Sequence, residues 1–72
     1  MQIRISHSDL VDPLVRALND TDCSAARTSA HGVHVFVPWL ERGGDPRQAR
    51  IEVLFFIRSW GLAHAGFQAQ VA

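Results

Sequence analysis

The apolar residues of this chain recur at two different periods, and the order of these periods restricts the folds open to it. In residues 2–6, QIRIS, Ile3 and Ile5 alternate with polar residues, which is typical of a strand with one buried side. Residues 8–20, SDLVDPLVRALND, instead follow the helical period. Their apolar arc consists of Leu10, Val11, Leu14, Val15, Ala17 and Leu18. The chain is therefore predicted to begin with a strand and an amphipathic helix.

Two further strands are predicted in the middle of the chain. Residues 23–30, CSAARTSA, are poor strand formers but lie between two turn signals. Residues 32–38, GVHVFVP, alternate clearly, with the valines on one face, and Pro38 ends the strand because it has no N–H for the ladder. Residues 39–44, WLERGG, are predicted to form a loop.

A second helix is predicted over residues 47–64, ended by Gly66. It begins at Asp45-Pro46, because aspartate can cap a helix and proline fits its first position. The same dipeptide at Asp12-Pro13 predicts that the first helix begins at Pro13. A last strand in residues 66–72, GFQAQVA, completes the order β-α-β-β-α-β.

This order predicts one α+β domain over residues 1–72 with the ferredoxin-like split topology. We expect a four-stranded antiparallel sheet of order 4-1-3-2 with both helices on one face. A swapped or intertwined dimer built from the same elements is the alternative. A chain of this length buries only about 60% of its unfolded surface, so its margin of stability is small.

Charge and composition disfavour several classes of protein. Apolar residues make up 47% of the chain, which predicts a folded rather than a disordered protein. Seven acidic residues balance seven basic ones, and the pI of 6.9 is far below the value above about 9 that is usual for a basic nucleic-acid module. Nucleic acid is therefore a disfavoured partner.

The location expected from the sequence is the cytoplasm. Cys23 is the only cysteine, which fits a reducing compartment. The first residues, MQIRISHSD, lack the apolar core of a signal peptide, and no apolar run is long enough to cross a membrane.

The segments IRISHSDLVDPLV and ARIEVLFFIRSWGLAHAG resemble a group of small bacterial proteins of ferredoxin-like topology that have no assigned activity. Topology and length are also similar to the small heavy-metal-binding domains, whose ligands form a Met-x-Cys-x-x-Cys motif between the first strand and helix. The corresponding loop here, ISHSDLVD, contains no thiol. The resemblance therefore does not imply copper binding.

The strand HGVHVFVP raises the question of a nucleic-acid interface. An RNA-recognition strand of this topology places aromatic residues on the open sheet face for base stacking, but Val33 and Val35 hold those positions here. We expect the open face to carry instead Arg4, Ser6, His34, Phe36, Gln68 and Gln70, with Arg27 as a further candidate. One aromatic and a few donors allow at most weak nucleic-acid binding.

Three histidines are expected at one edge of the predicted fold. The topology brings together the end of the first strand, the turn between the second and third strands, and the end of the second helix. His7, His31 and His64 lie at these points, with Asp9 close by. Imidazole and carboxylate groups can bind Zn²⁺, so a zinc site is one hypothesis and isolated surface histidines are the other.

No catalytic or cofactor-binding residues are predicted, and we expect the protein not to be an enzyme. Cys23 is expected at the opposite end from the histidines, which excludes a Cys–His pair. Ser6 to Asp9 are adjacent in sequence, unlike the members of a triad. ERGGDP lacks the Lys-Ser/Thr of a P-loop, and Asp45 would repel an anion there.

The second helix has two apolar stripes. Val53, Phe56, Ile57 and Trp60 form the stripe predicted to face the sheet, with Trp60 in the central core. Ile51, Phe55 and Leu62 lie nearly opposite, where they are either covered by the first helix or exposed. An exposed apolar patch usually marks an interface.

The sequence thus predicts a small protein that binds itself, as a homodimer, or another protein. A metal- or pH-responsive module using the edge histidines and a weak nucleic-acid binder using the open sheet face are the alternatives.

Overall fold

The computed structural model describes residues 1–72 as a four-stranded sheet with helices packed on it. The strands are β1 (Gln2–Ile5), β2 (Ser24–Arg27), β3 (Gly32–Phe36) and β4 (Ala69–Val71). The helices are α1 (Val11–Asn19), α2 (Pro38–Glu41) and α3 (Pro46–Gly61), and a 3-10 turn at Ser8–Leu10 leads into α1. None of these helices combines the length and the apolar character needed to cross a membrane.

All neighbouring strands are antiparallel, in the order β2-β3-β1-β4, so the protein has an α+β fold with an open antiparallel sheet. In β1, Ile3 lies opposite Val33 of β3 and Val71 of β4, and Ile5 lies opposite Ala69. Residues paired across strands point to the same face of the sheet, so these apolar side chains share one face.

The core lies between this apolar face and the helices α1 and α3. α1 contributes Leu14 and Leu18, four residues apart, and α3 contributes Val53 and Ile57 with the same spacing. The 13 buried apolar residues are Ile3, Ile5, Leu10, Val11, Leu14, Leu18, Val33, Val35, Val37, Ala49, Val53, Ile57 and Ala69. Trp60 is only partly buried and packs against the margin of this core, not at its centre as the sequence predicted.

The first helix begins at Val11, and the predicted start at Pro13 is wrong. Asp12 lies inside the helix and does not cap it, and its carboxylate accepts a hydrogen bond from Arg27 Nη1 at 3.1 Å. Leu10 precedes the helix and makes no side-chain cap. Pro13 is tolerated because N–H groups of the first turn have no partner within the helix.

α3 begins as predicted, since Asp45 Oδ1 accepts a hydrogen bond from the backbone N–H of Arg47 at 2.9 Å. It ends at Gly61, earlier than the predicted residue 64. The chain then turns back toward the sheet, and Gly66 adopts a φ of 76°, which a glycine allows without strain.

Two other elements differ from expectation. The short helix α2 occupies part of the predicted loop, because Val37 is extended and Pro38 supplies a first helical position. β2 covers only residues 24–27 of the predicted 23–30, since the N–H of Thr28 bonds the carbonyl of Gly32 at 2.9 Å and begins the turn into β3.

Candidate interaction surfaces

α3 presents two apolar stripes, one buried and one exposed. Ala49, Val53, Ile57 and Gly61 recur every four residues and are all buried against the sheet. The opposite stripe, which we call the α3 stripe, consists of Ile51, Phe55 and Leu62, and their exposed fractions are 62%, 73% and 84%. These values show that α1 does not cover the α3 stripe.

Arginine side chains border the α3 stripe. Arg50, Leu54, Arg58 and Ser59 complete a shallow groove of about 440 Å³ along it. No acidic residue lines this groove. The arrangement is an apolar strip with a basic margin.

The open sheet face carries the residues named for it from the sequence, except Arg27. Arg4, His34, Gln68 and Gln70 are exposed, and Phe36 is 41% exposed. Phe36 is therefore the only aromatic side chain on the face, as the alternation in HGVHVFVP predicted.

Arg27 lies on the other face of the sheet, which corrects the sequence-based assignment to the open face. It stands in register with the buried Val33, so its side chain points to the helix side. There it forms the single ion pair of the protein, with Asp12. The strand register decided this position, and the weak pattern of CSAARTSA could not supply it.

The predicted metal site is not formed in the structure. No group of three or more His, Cys, Asp or Glu side chains is placed to hold a metal ion. Both ring nitrogens of His7 are engaged, Nδ1 with Ser6 Oγ at 2.7 Å and Nε2 with the Ala65 carbonyl at 3.1 Å. His31 Nδ1 bonds the Ile5 carbonyl at 3.0 Å, whereas the His64 ring packs against Trp60 at 5.8 Å. Asp9, the fourth proposed ligand, is exposed in the 3-10 turn and has no side-chain hydrogen bond to these histidines.

Ser6 and His7 form a hydrogen-bonded pair that the sequence argument set aside. A carbonyl only accepts, so His7 Nε2 donates to Ala65, and in the neutral ring Nδ1 accepts from the Ser6 hydroxyl, which also lies 3.4 Å from the Gly66 carbonyl. Ser6 Oγ also accepts from the N–H of Gln68 at 2.8 Å, and the N–H of Ser6 donates to the Gln68 carbonyl at 2.9 Å.

This Ser–His pair joins the end of β1 to the chain entering β4. A nucleophilic serine needs nearby donors to stabilise the oxyanion. The N–H of Gln68 donates to Ser6 Oγ, and the N–H of Ser6 donates to the Gln68 carbonyl, so both are engaged within this link. These hydrogen bonds tie residues 6–7 to residues 65–68.

The two edges of the sheet differ in how their backbone groups are covered. At the β2 edge, the Asn19 side chain accepts from the N–H of Ala25 at 2.9 Å and donates to its carbonyl at 3.0 Å. At the β4 edge, Arg58 donates from Nε and Nη2 to the Ala69 carbonyl, at 3.3 and 3.0 Å. The sequence did not indicate either role. Asn19 acts on β2, whose pattern is irregular, and Arg58 acts on β4, which is distant in sequence.

A cleft of about 810 Å³ runs beside β4, between the sheet edge and the end of α3. Its polar lining includes Arg4, Ser6, Arg58, His64, Gln68 and Gln70. No acidic residue lines it. The cleft therefore combines positive charge with hydrogen-bond donors at an exposed strand.

Comparisons with protein-family models, with curated proteins and with solved structures found no match to this chain. Function must therefore be inferred from the geometry of these surfaces.

Proposed function

We propose that this protein is a non-enzymatic self-association module that forms a homodimer through the α3 stripe. The observation that carries the proposal is the exposure of Ile51, Phe55 and Leu62, at 62%, 73% and 84%, on a helix whose other stripe is buried. Burial of apolar surface contributes about 25 cal/mol per Å², which matters for a domain with so small a core.

Several features favour a second copy as the occupant of the α3 stripe. The formal net charge is zero, so net charge does not oppose association, and the apolar strip has only the local repulsion between the Arg50 and Arg58 margins to outweigh. A two-fold axis lets one patch serve both chains. At the β2 edge, Asn19 occupies both backbone groups of Ala25, which works against association by strand pairing at that edge.

We also propose that the fold is of the ferredoxin-like type. The strand order, with β1 and β3 in the centre, and the packing of α1 and α3 on one sheet face support this assignment. The short helix α2 would be an insertion before α3. A cytoplasmic location is part of the proposal, and the free thiol of Cys23 supports it.

Sedimentation equilibrium tests the dimer. We expect the wild-type mass to be twice 8.0 kDa at high micromolar concentration, and Phe55→Glu to lower it to the monomer mass. Ser24→Glu, which adds the same charge at an exposed position of β2, serves as the matched control and should remain a dimer. A wild-type mass of 8.0 kDa under these conditions would contradict the proposal.

A further inference from the structure

The outer edge of β4 offers backbone hydrogen-bonding groups to a ligand. The N–H of Ser6 bonds the Gln68 carbonyl, and the N–H of Ala72 bonds the Gln2 carbonyl. Residues 68, 70 and 72 therefore face β1, and the alternation of a strand turns the backbone groups of Ala69 and Val71 outward. Of these groups, only the Ala69 carbonyl is bonded, by Arg58.

The β2 edge is less accessible. Its outward residues are Ala25 and Arg27, because the N–H of Thr28 bonds β3. Asn19 satisfies both backbone groups of Ala25, and α1 packs directly on β2. β4 is thus the edge at which another strand can add.

Charge indicates which kind of strand fits. Arg4 and Arg58 line the cleft beside β4, and neither forms an ion pair, since the single ion pair joins Arg27 to Asp12. His64 and the amides of Gln68 and Gln70 add donors. An acidic ligand would therefore meet unpaired positive charge without any carboxylate to oppose it.

We propose that this cleft binds an extended peptide segment with acidic side chains, which adds to the sheet as a strand beside β4. Main-chain hydrogen bonds to Ala69 and Val71 would supply affinity, and carboxylates on one face of the added strand, contacting Arg4 on the open sheet face, would supply specificity. In the free protein, the Arg58 guanidinium donates hydrogen bonds to the Ala69 carbonyl. The added strand would replace these bonds with a backbone N–H. This site adjoins the α3 stripe, since Arg58 and Leu62 line both the cleft and the α3 groove, whereas Phe55 lines only the groove.

A second copy of β4 fits this edge less well than an acidic segment. Two-fold pairing of β4 with itself would bring the arginines of both copies together, and like charges across a strand pair are destabilising. A nucleic-acid strand would satisfy the arginines but not the outward N–H and C=O groups, which alternate at the spacing of a peptide backbone.

Binding can be measured with a fluorescein-labelled peptide of alternating Val and Glu, about six residues long, and the full-length protein. We expect saturable binding that weakens about tenfold when Lys replaces Glu in the peptide, or when Arg4→Glu is made in the protein. Arg16→Glu, on the exposed side of α1, is the matched control and should bind as the wild type does. Phe55→Glu should also retain binding, which separates this site from the dimer surface.

Backbone pairing is tested with N-methylated peptides. Only alternate residues of an added strand donate to the edge, so methylation of one alternate set should abolish binding and methylation of the other should not. Equal effects of both sets would overturn the proposal. It would also be overturned if a single-stranded oligonucleotide bound in an Arg4-dependent manner and the acidic peptide did not bind.

Discussion

Phe55 and Ile57 lie two positions apart on α3 and have opposite environments, since Phe55 is 73% exposed and Ile57 is completely buried. Two residues correspond to a rotation of about 200° around a helix. One helix therefore holds the core together with one side and presents an unpartnered apolar side to solvent. Substitutions on the two sides should therefore affect the protein differently.

The first prediction concerns the exposed side. If the dimer forms, only the native state associates, so the wild-type melting temperature should rise with protein concentration. Phe55→Glu should give a melting temperature that is lower and independent of concentration. Calorimetry across a tenfold or larger concentration range makes the comparison. A wild-type melting temperature that does not change with concentration would argue against coupling of association to folding.

The second prediction concerns the buried side. Ile57→Ala removes a completely buried side chain and should cost about 2–5 kcal/mol of unfolding free energy. Trp60→Ala should cost less than the roughly 3–5 kcal/mol typical of a fully buried tryptophan, because Trp60 is only partly buried against Phe67 and His64. Urea denaturation in the Phe55→Glu background measures both without a contribution from association. We therefore expect Trp60→Ala to cost less than Ile57→Ala. A larger loss for Trp60→Ala would contradict this expectation.

The third prediction concerns the β2 edge. Asn19→Ala removes the two hydrogen bonds to Ala25 and should cost about 1–3 kcal/mol. Asn19→Asp keeps an acceptor for the N–H of Ala25 but loses the donor to its carbonyl, so its cost should be smaller. Hydrogen exchange at Ala25 follows the effect directly, and light scattering should show aggregation of Asn19→Ala at the uncovered edge. Unchanged exchange at Ala25 in Asn19→Ala would mean that the side chain does not protect this edge.

The sequence predicted the elements whose side chains obey a clear period. β1, β3, α1 and α3 each have apolar residues at a regular period, so their positions followed from local pattern, whereas the sequence left open whether α1 covers the α3 stripe. β2 has no such pattern, and the side on which Arg27 points depends on its register with Val33. Register is a property of two strands together, so the pattern of one strand could not give it.

The roles of the histidines, Arg58 and Asn19 also depend on contacts between distant segments, which local pattern does not give. The histidines were expected to converge because the topology places them at one edge of the sheet. A shared edge fixes their positions only to within several residues. Metal coordination requires the ligand atoms to lie about 2 Å from the ion. The bonds of His7 to Ser6 and Ala65 depend on how residues 62–68 turn back toward the sheet. Arg58 and Asn19 likewise became recognisable only when their strand partners were known.

The fourth prediction concerns the close approach of Phe67 to the last turn of α3. A Cβ atom added at Gly61 would lie 2.6 Å from Phe67 Cγ, which is too close for two carbon atoms. Gly61→Ala should therefore destabilise the protein by about 1–3 kcal/mol through overpacking. This loss should appear although alanine favours helix by about 1 kcal/mol over glycine. Ser59→Ala, at an exposed position of the same turn, is the control and should change stability little.

A double-mutant cycle separates the contact with Phe67 from any general effect on the helix. In a Phe67→Ala background the obstructing ring is absent, so Gly61→Ala should become neutral or stabilising. If Gly61→Ala costs the same in both backgrounds, the ring does not pack on Gly61 as the structure has it. Both residues line the cleft beside β4, and Phe67 also contacts His7 at 5.9 Å between ring centres. Displacing the ring in Gly61→Ala should therefore weaken binding of the acidic peptide as well, whereas Ser59→Ala should leave it unchanged.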